Sequence, residues 1–501
     1  MTERDFDKLL ETAAEEGLPD DIVREVTPWR KAMGNIIGGS GMCAITINML
    51  QLNVLLPTTG VILQLLGFRS LRRENRWLGA CWVLALLRVV LFLPVLVVDA
   101  TIYREVFYSS GAAKLAVYSS AGTQLLLFFC LWRGLRAAQK KTGLPVRSGS
   151  AGALFAWYLV VSALAQAGYA GWVAAVFMLV CYICILKSLS SLSKEMEEQG
   201  YAICPAGVRV SDGVLVKAIL AFLAVGILCG YLFFGRYPMD WRPEAGELSS
   251  QAAEVRGQLL ALGYPEGALR DLAEEDILSC QGALRVVVHE IDEPVNQGRE
   301  VRETWEGYTQ ISTVYDVKEL HLTDVAVELP GEREHWKIFH HFLWTVDPGF
   351  PGTESIQLWP VYNHIEGWAA KDPPTGRVLY DDGKGNTFTA PYHSLGAEGY
   401  TTQSIFWGDQ YVKDLFATFS LPSRGENQRG YISYGIVMAR PGYIIDSWIN
   451  YTHQRSRFQY PVLTARENRK QGGWNTSGTF VLVQNALQFF VMEDGSIDMW
   501  E

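Results

Sequence analysis

The chain has 501 residues, 49% of them hydrophobic, and a formal net charge of -10. That acidity excludes bulk attraction to nucleic acid or another anionic polymer, and the length leaves room for at least two domains. The hydrophobic residues crowd positions 34–234, whereas the second half carries the charged content of an ordinary globular domain.

Residues 1–33 are polar and acidic, with no apolar core of a signal peptide, so export of the second half is expected to rest on the spans themselves. Phe6, Leu9, Leu10, Ala13, Ala14 and Leu18 recur at helical spacing with acids on the other face, which predicts a helix over 3–18. Such a helix is fitted to dock on a cytoplasmic protein partner or on the chain's own loops. Its acidity disfavours an anionic membrane surface.

A bilayer-spanning helix needs about 20 apolar residues. The clearest runs are 78–98, 115–132, 153–166, 168–186 and 214–234. The stretch 35–68 is too long for one span and short for two, and Gln51–Asn53 with Pro57 suggest a hairpin or re-entrant pair breaking near 55. Positive charge decides between them. Arg69, Arg72, Arg73 and Arg76 crowd one loop, Arg133, Arg136, Lys140, Lys141 and Arg147 a second, and Lys187, Lys194, Arg209 and Lys217 a third; the alternate loops are poor in Lys and Arg. If 35–68 crosses twice, every basic loop is cytoplasmic, as membrane insertion favours. The expectation is seven spans, with the N-terminus inside, the C-terminal domain outside, and membrane lipid as the bundle's solvent.

Arg88 lies near the centre of the third predicted span, with no Asp or Glu at its depth. Asn48, Gln51 and Gln124 are the candidates to hydrogen-bond it. An ionisable residue so placed points to an anionic headgroup, substrate or partner helix, or to a structural arginine satisfied by carbonyls and amides. No broken-helix pair, internal repeat or acidic relay suggests a secondary transporter.

Residues 236–283 are expected to form a linker and a helical neck, with helices over 247–262, 267–272 and 274–280. From 284 to 501 the pattern switches to runs rich in Val, Ile, Tyr, Phe and Trp. Strands are predicted at 284–291, 321–328, 336–344, 355–362, 401–407, 415–421, 431–439 and 480–491, with turns such as Asp381-Asp382-Gly383 between them. The fold class is therefore an α-helical membrane bundle (34–235) joined by a short neck to an extracytoplasmic all-β domain, an antiparallel β-sandwich of jelly-roll type.

Only Cys280 of the 8 Cys falls beyond the bundle, in the neck, so the exported part is expected to hold no internal disulfide, which fits a bacterial envelope. All 8 His lie there, at no recognised metal-ligand spacing. No cofactor motif, GxSxG elbow, P-loop or Cys-His pattern occurs, and Asp381-Asp382 reads as a solvated turn. Trp305, Trp359, Trp368, Trp407, Trp448 and Trp474, interleaved with Tyr and Asn, suit either a glycan-stacking platform or the core.

Three runs carry a resemblance: DIVREVTPWRKAM at 21–33, LGFRSLRREN at 66–75 and LRDLAEEDILSC at 269–280. Together they resemble uncharacterised multi-pass membrane proteins of anaerobic Gram-positive bacteria, some associated with sigma-factor genes. The resemblance implies lineage and a hint of regulation, and no catalytic residues. Three function classes follow: an envelope sensor or regulator with a cytoplasmic partner at 1–33; a membrane-anchored module binding glycan or protein outside; and, least supported, a membrane enzyme acting on lipid or cell wall.

Overall fold

The computed structural model describes residues 27–44, 51–141, 149–169, 171–203, 206–244, 246, 248–305, 308–364, 367–404, 408–456, 459–472 and 478–500. The helix expected over 3–18 lies outside them. The chain divides into two compact units, one of residues 1–98 and 106–227, the other of 99–105 and 228–501.

The first unit is helical. It contains α1 (Pro28–Ala44), α2 (Leu52–Leu71), α3 (Arg76–Val98), α4 (Arg104–Ser109, divided between the units), α5 (Gly111–Lys141), α6 (Gly149–Gln166), α7 (Trp172–Glu198) and the first part of α8 (Asp212–Phe234). Six of these, α2, α3, α5, α6, α7 and α8, are long and apolar enough to cross a membrane. Leu86, Val90, Leu115, Val176, Phe177 and Phe222 stand exposed on them. An outward apolar surface of this extent suits a lipid solvent.

Close approach between α1 and α2 depends on glycine. A Cβ on Gly39 would meet the Gly60 carbonyl oxygen at 2.6 Å, and one on Gly60 would meet the Gly39 oxygen at 2.7 Å. Small residues at such a crossing let two backbones touch, which is how apolar helices pack where water supplies no drive. The basic helix ends of this unit gather by direct contact. Lys141 pairs with Glu74 at 2.8 Å, Arg69 pairs with Asp212 at 2.9 Å, and the Trp29 Nε1–H donates to the Ser193 oxygen.

In the second unit the neck forms α9 (Ser250–Ala261), α10 (Glu266–Arg270) and α11 (Glu274–Leu278). Ser249 caps α9 by accepting from the Ala252 N–H. The described strands are β1 (Arg242–Pro243), β2 (Arg285–Glu293), β3 (Arg299–Trp305), β4 (Tyr308–Val314), β5 (Leu320–Leu329), β6 (His335–Trp344), β7 (Glu354–Trp359), β8 (Trp368–Ala370), β9 (Thr375–Asp381), β10 (Thr387–Pro391), β11 (Ser394–Ser404), β12 (Gly408–Phe419), β13 (Glu426–Met438), β14 (Ile445–Gln454), β15 (Phe480–Val491) and β16 (Ile497–Met499). Short helices α12 (Val361–His364) and α13 (Ala465–Lys470) interrupt them.

All pairings are antiparallel. One sheet has the order β1-β10-β9-β13-β6-β5-β2 with β8 also on β13, a second has β11-β12-β7-β14-β15-β16, and β3-β4 form a separate ribbon. The two large sheets share one apolar core, in which Phe342, Tyr434 and Ile436 of the first meet Leu358, Phe419 and Tyr451 of the second. The neck covers the opposite face of the first sheet, where Val255, Leu259 and Leu269 pack with Val325, Phe339 and Tyr431.

Of the strand expected over 401–407, residues 401–404 are the end of β11, which begins earlier at Ser394, and 405–407 lie outside the described residues. Strand β14 went unseen because it is buried on both faces and polar Asn450, Thr452 and His453 sit among its buried positions, which breaks the apolar alternation. The turn at Asp381-Asp382-Gly383 joins β9 to β10, but Asp381 is not simply solvated: it pairs with Arg429 at 3.0 Å.

Candidate functional site

The first unit holds a cavity of about 470 Å³ between α3, α5 and α6. Arg88, near the middle of the 23-residue α3, lines it together with Gln124 of α5 and Tyr158 of α6. Arg88 donates through Nη1 to the Gln64 Oε1 of α2. Gln64 in turn donates to Ser40 Oγ at 3.0 Å, and the Tyr182 hydroxyl donates to the Ser40 carbonyl at 2.7 Å. One neutral polar chain thus ties α3 to α2, α1 and α7.

Gln124 is 5% exposed, and neither its amide nitrogen nor its oxygen has a partner among the described residues. Gln51 is exposed at the left-handed N-cap of α2, and the glutamine that Arg88 reaches is Gln64. The signal for Gln64 was present: it is the single glutamine within α2. Asn48 lies outside the described residues.

The second unit separates the two adjacent histidines of β6, as strand alternation requires. His340 faces the other sheet. Its Nδ1 bonds Asp324 Oδ1 at 2.6 Å and its Nε2 bonds Ser447 Oγ at 2.7 Å, with the Tyr434 hydroxyl on the same Oγ. Carboxylate, imidazole and hydroxyl follow the order of a hydrolase triad. All three are fully buried between the sheets, where a substrate reaches Ser447 only if the sheets part. Asp324 also accepts from Asn485 on β15, so the set works as a polar bracket across the core.

His341 faces the neck and bonds Asp271 at 2.9 Å; Arg429 bonds the other oxygen of Asp271 at 2.8 Å. Burial opposes ionisation of Asp271, yet His341 and Arg429 outweigh it and hold the carboxyl below its usual range. These residues line a cleft of about 410 Å³ with Arg270, Glu290 and His321. Beside it, Asp276 of α11 accepts from Lys337 at 2.8 Å and from Thr375 and Tyr431 at 2.6 Å each. Burial again opposes its charge, and Lys337 leads the contacts that keep its pKa lowered. No His, Cys, Asp and Glu cluster fit for a metal occurs among the described residues.

Of the three candidate tryptophans whose side chains are described, two meet and one stands apart. Trp368 is buried and donates to the Ile444 oxygen. Trp359 and Trp448 are half-buried cross-strand neighbours with ring centres 5.9 Å apart, and the Arg469 guanidinium lies 5.9 Å from the Trp359 ring centre. The side chains of Trp305, Trp407 and Trp474 lie outside the described residues.

A further cluster escaped the sequence. Residues 99–105, which join α3 to the helices that follow, belong to the second unit. Glu105 pairs with Arg466 at 2.8 Å and with Lys470 at 3.3 Å, and both cations also pair with Glu398. Arg104 pairs with Glu467 at 3.3 Å, and the Val462 N–H donates to the Asp99 oxygen at 2.7 Å. Ile102 packs with Tyr237 and Val462. Burial opposes the charge of Glu105, but Arg466 and Lys470 prevail and lower its pKa. The partners of Asp99, Arg104 and Glu105 on 462–470 stand more than 350 positions away, a pairing that one sequence does not reveal.

No protein-family model matches the chain, and no curated protein matches it. Among solved structures it is similar to a pore forming protein, at 8% identity over 40% of this chain and 100% of that one, with a TM-score of 0.19. It is also similar to Clostridium perfringens delta-toxin, at 6% identity over 42% of this chain and 100% of that one, with a TM-score of 0.20. A third is the KRT10-binding region domain of the pneumococcal serine rich repeat protein PsrP, at 9% identity over 34% and 86%, with a TM-score of 0.16. Scores of 0.20 and below carry no argument about this chain's fold or function.

Proposed function

We infer that the chain is an integral membrane sensor or regulator, in which an extracytoplasmic β-domain reports through the helical bundle to a cytoplasmic partner of residues 1–33. The bundle reads as seven spans, the six long helices plus α1, whose 17 described residues end where 45–50 begin. The basic helix ends that meet around Glu74 and Asp212 support a cytoplasmic placement of that end. The shared core of the two large sheets supports an antiparallel sandwich of jelly-roll type.

The observation that carries the reading is the ion-paired segment 99–105. A tethered module needs one covalent link, here the end of α8. This domain also grips the segment continuous with α3 and α5, through Glu105, Arg466, Lys470 and Glu398. A change at α13 therefore has a covalent path into two more helices. Hydrogen exchange on the full chain in nanodiscs tests this. Replacing Arg466 and Lys470 together with Ala should raise exchange in α3 and α5 as well as in 99–105. Unchanged protection of both helices would reduce the bundle to an anchor.

The binding-module reading keeps one observation, the Trp359–Trp448 pair with Arg469, a geometry that suits stacking on a sugar. Glycan-array binding lost on Trp359→Ala and Trp448→Ala would favour it.

A further inference from the structure

We propose that the cavity at Arg88 binds an amphipathic oxyanion, a molecule with one carboxylate or phosphate group and an apolar body. The proposal goes beyond the relay reading and does not rest on it. Its first support is charge. No Asp or Glu occurs at positions 28–71, 76–98 or 111–194, so α1, α2, α3, α5 and α6 contain no carboxylate to neutralise Arg88. Its hydrogen-bond partner, Gln64, is neutral and already engaged with Ser40. A guanidinium held at mid-span calls for an anion, and it grips oxyanions through paired N–H donors.

The second support is independent of Arg88. Gln124 lines the same cavity, is 5% exposed, and has neither amide atom satisfied among the described residues. Buried amides are seldom left so, and its N–H2 group offers a second donor to a ligand oxygen. The hydroxyl-bearing Ser120 and Ser162 line the cavity as well.

The third support is the distribution of polarity. Arg88 and Gln124 are central in α3 and α5, whereas Phe92 and Val95 lie further toward the end of α3, and Ala113 and Val117 nearer the start of α5. The charged and amide groups of the cavity therefore sit at mid-span, and its lining toward the segment joining the two helices is mostly apolar, with the hydroxyls of Tyr108, Ser120 and Ser162 among it. Its volume of about 470 Å³ lies within the range of small-molecule sites. A ligand seated there places its anionic group against Arg88 and Gln124 and its apolar body along α3 and α5. A neutral amphiphile would leave the guanidinium uncompensated, and a cation would be repelled.

The test uses the full chain in phosphatidylcholine nanodiscs, titrated with dodecanoate, dodecyl phosphate, dodecanol and dodecylamine. At least one of the two anions should bind saturably, about tenfold or more tighter than the alcohol or the amine. Binding by dodecanoate alone assigns a fatty carboxylate, by dodecyl phosphate alone a lipid phosphate, and by both the shared oxyanion chemistry; each supports the proposal. Arg88→Met should weaken anion binding about tenfold and Arg88→Lys should restore part of it. If Arg88→Met does not fold, Gln124→Leu carries the test, because its amide has no partner among the described residues to lose; it should weaken the anions selectively. Equal affinity for anion and alcohol, or anion binding unchanged in the variants, would overturn the site.

Discussion

At the scale of single residues, the side chains with the greatest energetic consequence are charged groups hidden beneath the neck. Asp276 and Lys337 are almost wholly buried, and each depends on the other for compensation. Asp276→Asn keeps the shape but leaves the Lys337 ammonium without its anion, an outcome expected to destabilise the β-domain by about 3–5 kcal/mol. Chemical denaturation of the purified chain measures it, and a loss below about 1 kcal/mol would refute the pairing. The pH dependence has a definite sign. Folding lowers the pKa values of Asp271 and Asp276, so their stabilisation is complete above the unfolded value of about 3.9 and is lost as pH falls through the folded values. The protection factors of amides in α9–α11, corrected for the intrinsic exchange rate at each pH, should lose nothing from these two carboxylates between neutral pH and about 4 and fall below it. Of the site residues, Arg88 was legible because it is a charge in an apolar run. Gln64 was not named beside Asn48, Gln51 and Gln124, because composition does not set which amide of the stretch 35–68 packs against Arg88.

At the scale of elements, glycine decides how near α1 and α2 lie. A Cβ on Gly39 would meet the Gly60 oxygen at 2.6 Å and the Gln64 Cγ at 2.9 Å, whereas one on Gly38 would meet nothing within 4 Å. Gly39→Leu should therefore lower the melting temperature in detergent, at a cost of about 1–3 kcal/mol from overpacking, while Gly38→Leu should change little. Equal effects would mean that helix propensity, not contact, governs both sites. The same physics explains which elements were readable. Strands β5 and β6 were visible because runs such as Val325–Val327 and Phe339 bury apolar residues on both faces, one against the neck and one against the second sheet. Strand β14 was hidden because hydrogen bonding there substitutes for hydrophobicity: His453 bonds Glu354 at 2.8 Å, and Asn450 bonds Gln357 at 3.1 Å. The β9–β10 hairpin showed only its turn, since both strands are short and part-exposed.

At the scale of the molecule, the division into a helical half and a β half was legible from where hydrophobic residues crowd. The membership of 99–105 in the second unit was not, because Asp99, Arg104 and Glu105 resemble any polar loop until their partners are known. The proposed orientation rests on parity. Five of the long helices separate position 73 from the β-domain, so if each crosses, Arg73 and Tyr308 face opposite compartments whatever happens upstream. The state of α1 is decided by a third position. If α1 and α2 each cross, Arg30 and Arg73 share a side, and the positive charge of Arg69, Arg72, Arg73 and Arg76 stays with that of Arg133 and Arg136 in the cytoplasm. In a background without native cysteines, Arg30→Cys and Arg73→Cys should resist a membrane-impermeant maleimide in right-side-out vesicles and react after lysis. Tyr308→Cys, at a position 84% exposed on β4, should react at once. Labelling of Arg30→Cys from the same side as Tyr308→Cys would reduce the hairpin to a single crossing. It would also move residues 1–33, the segment proposed to meet a partner, out of the cytoplasm and end the relay reading with it.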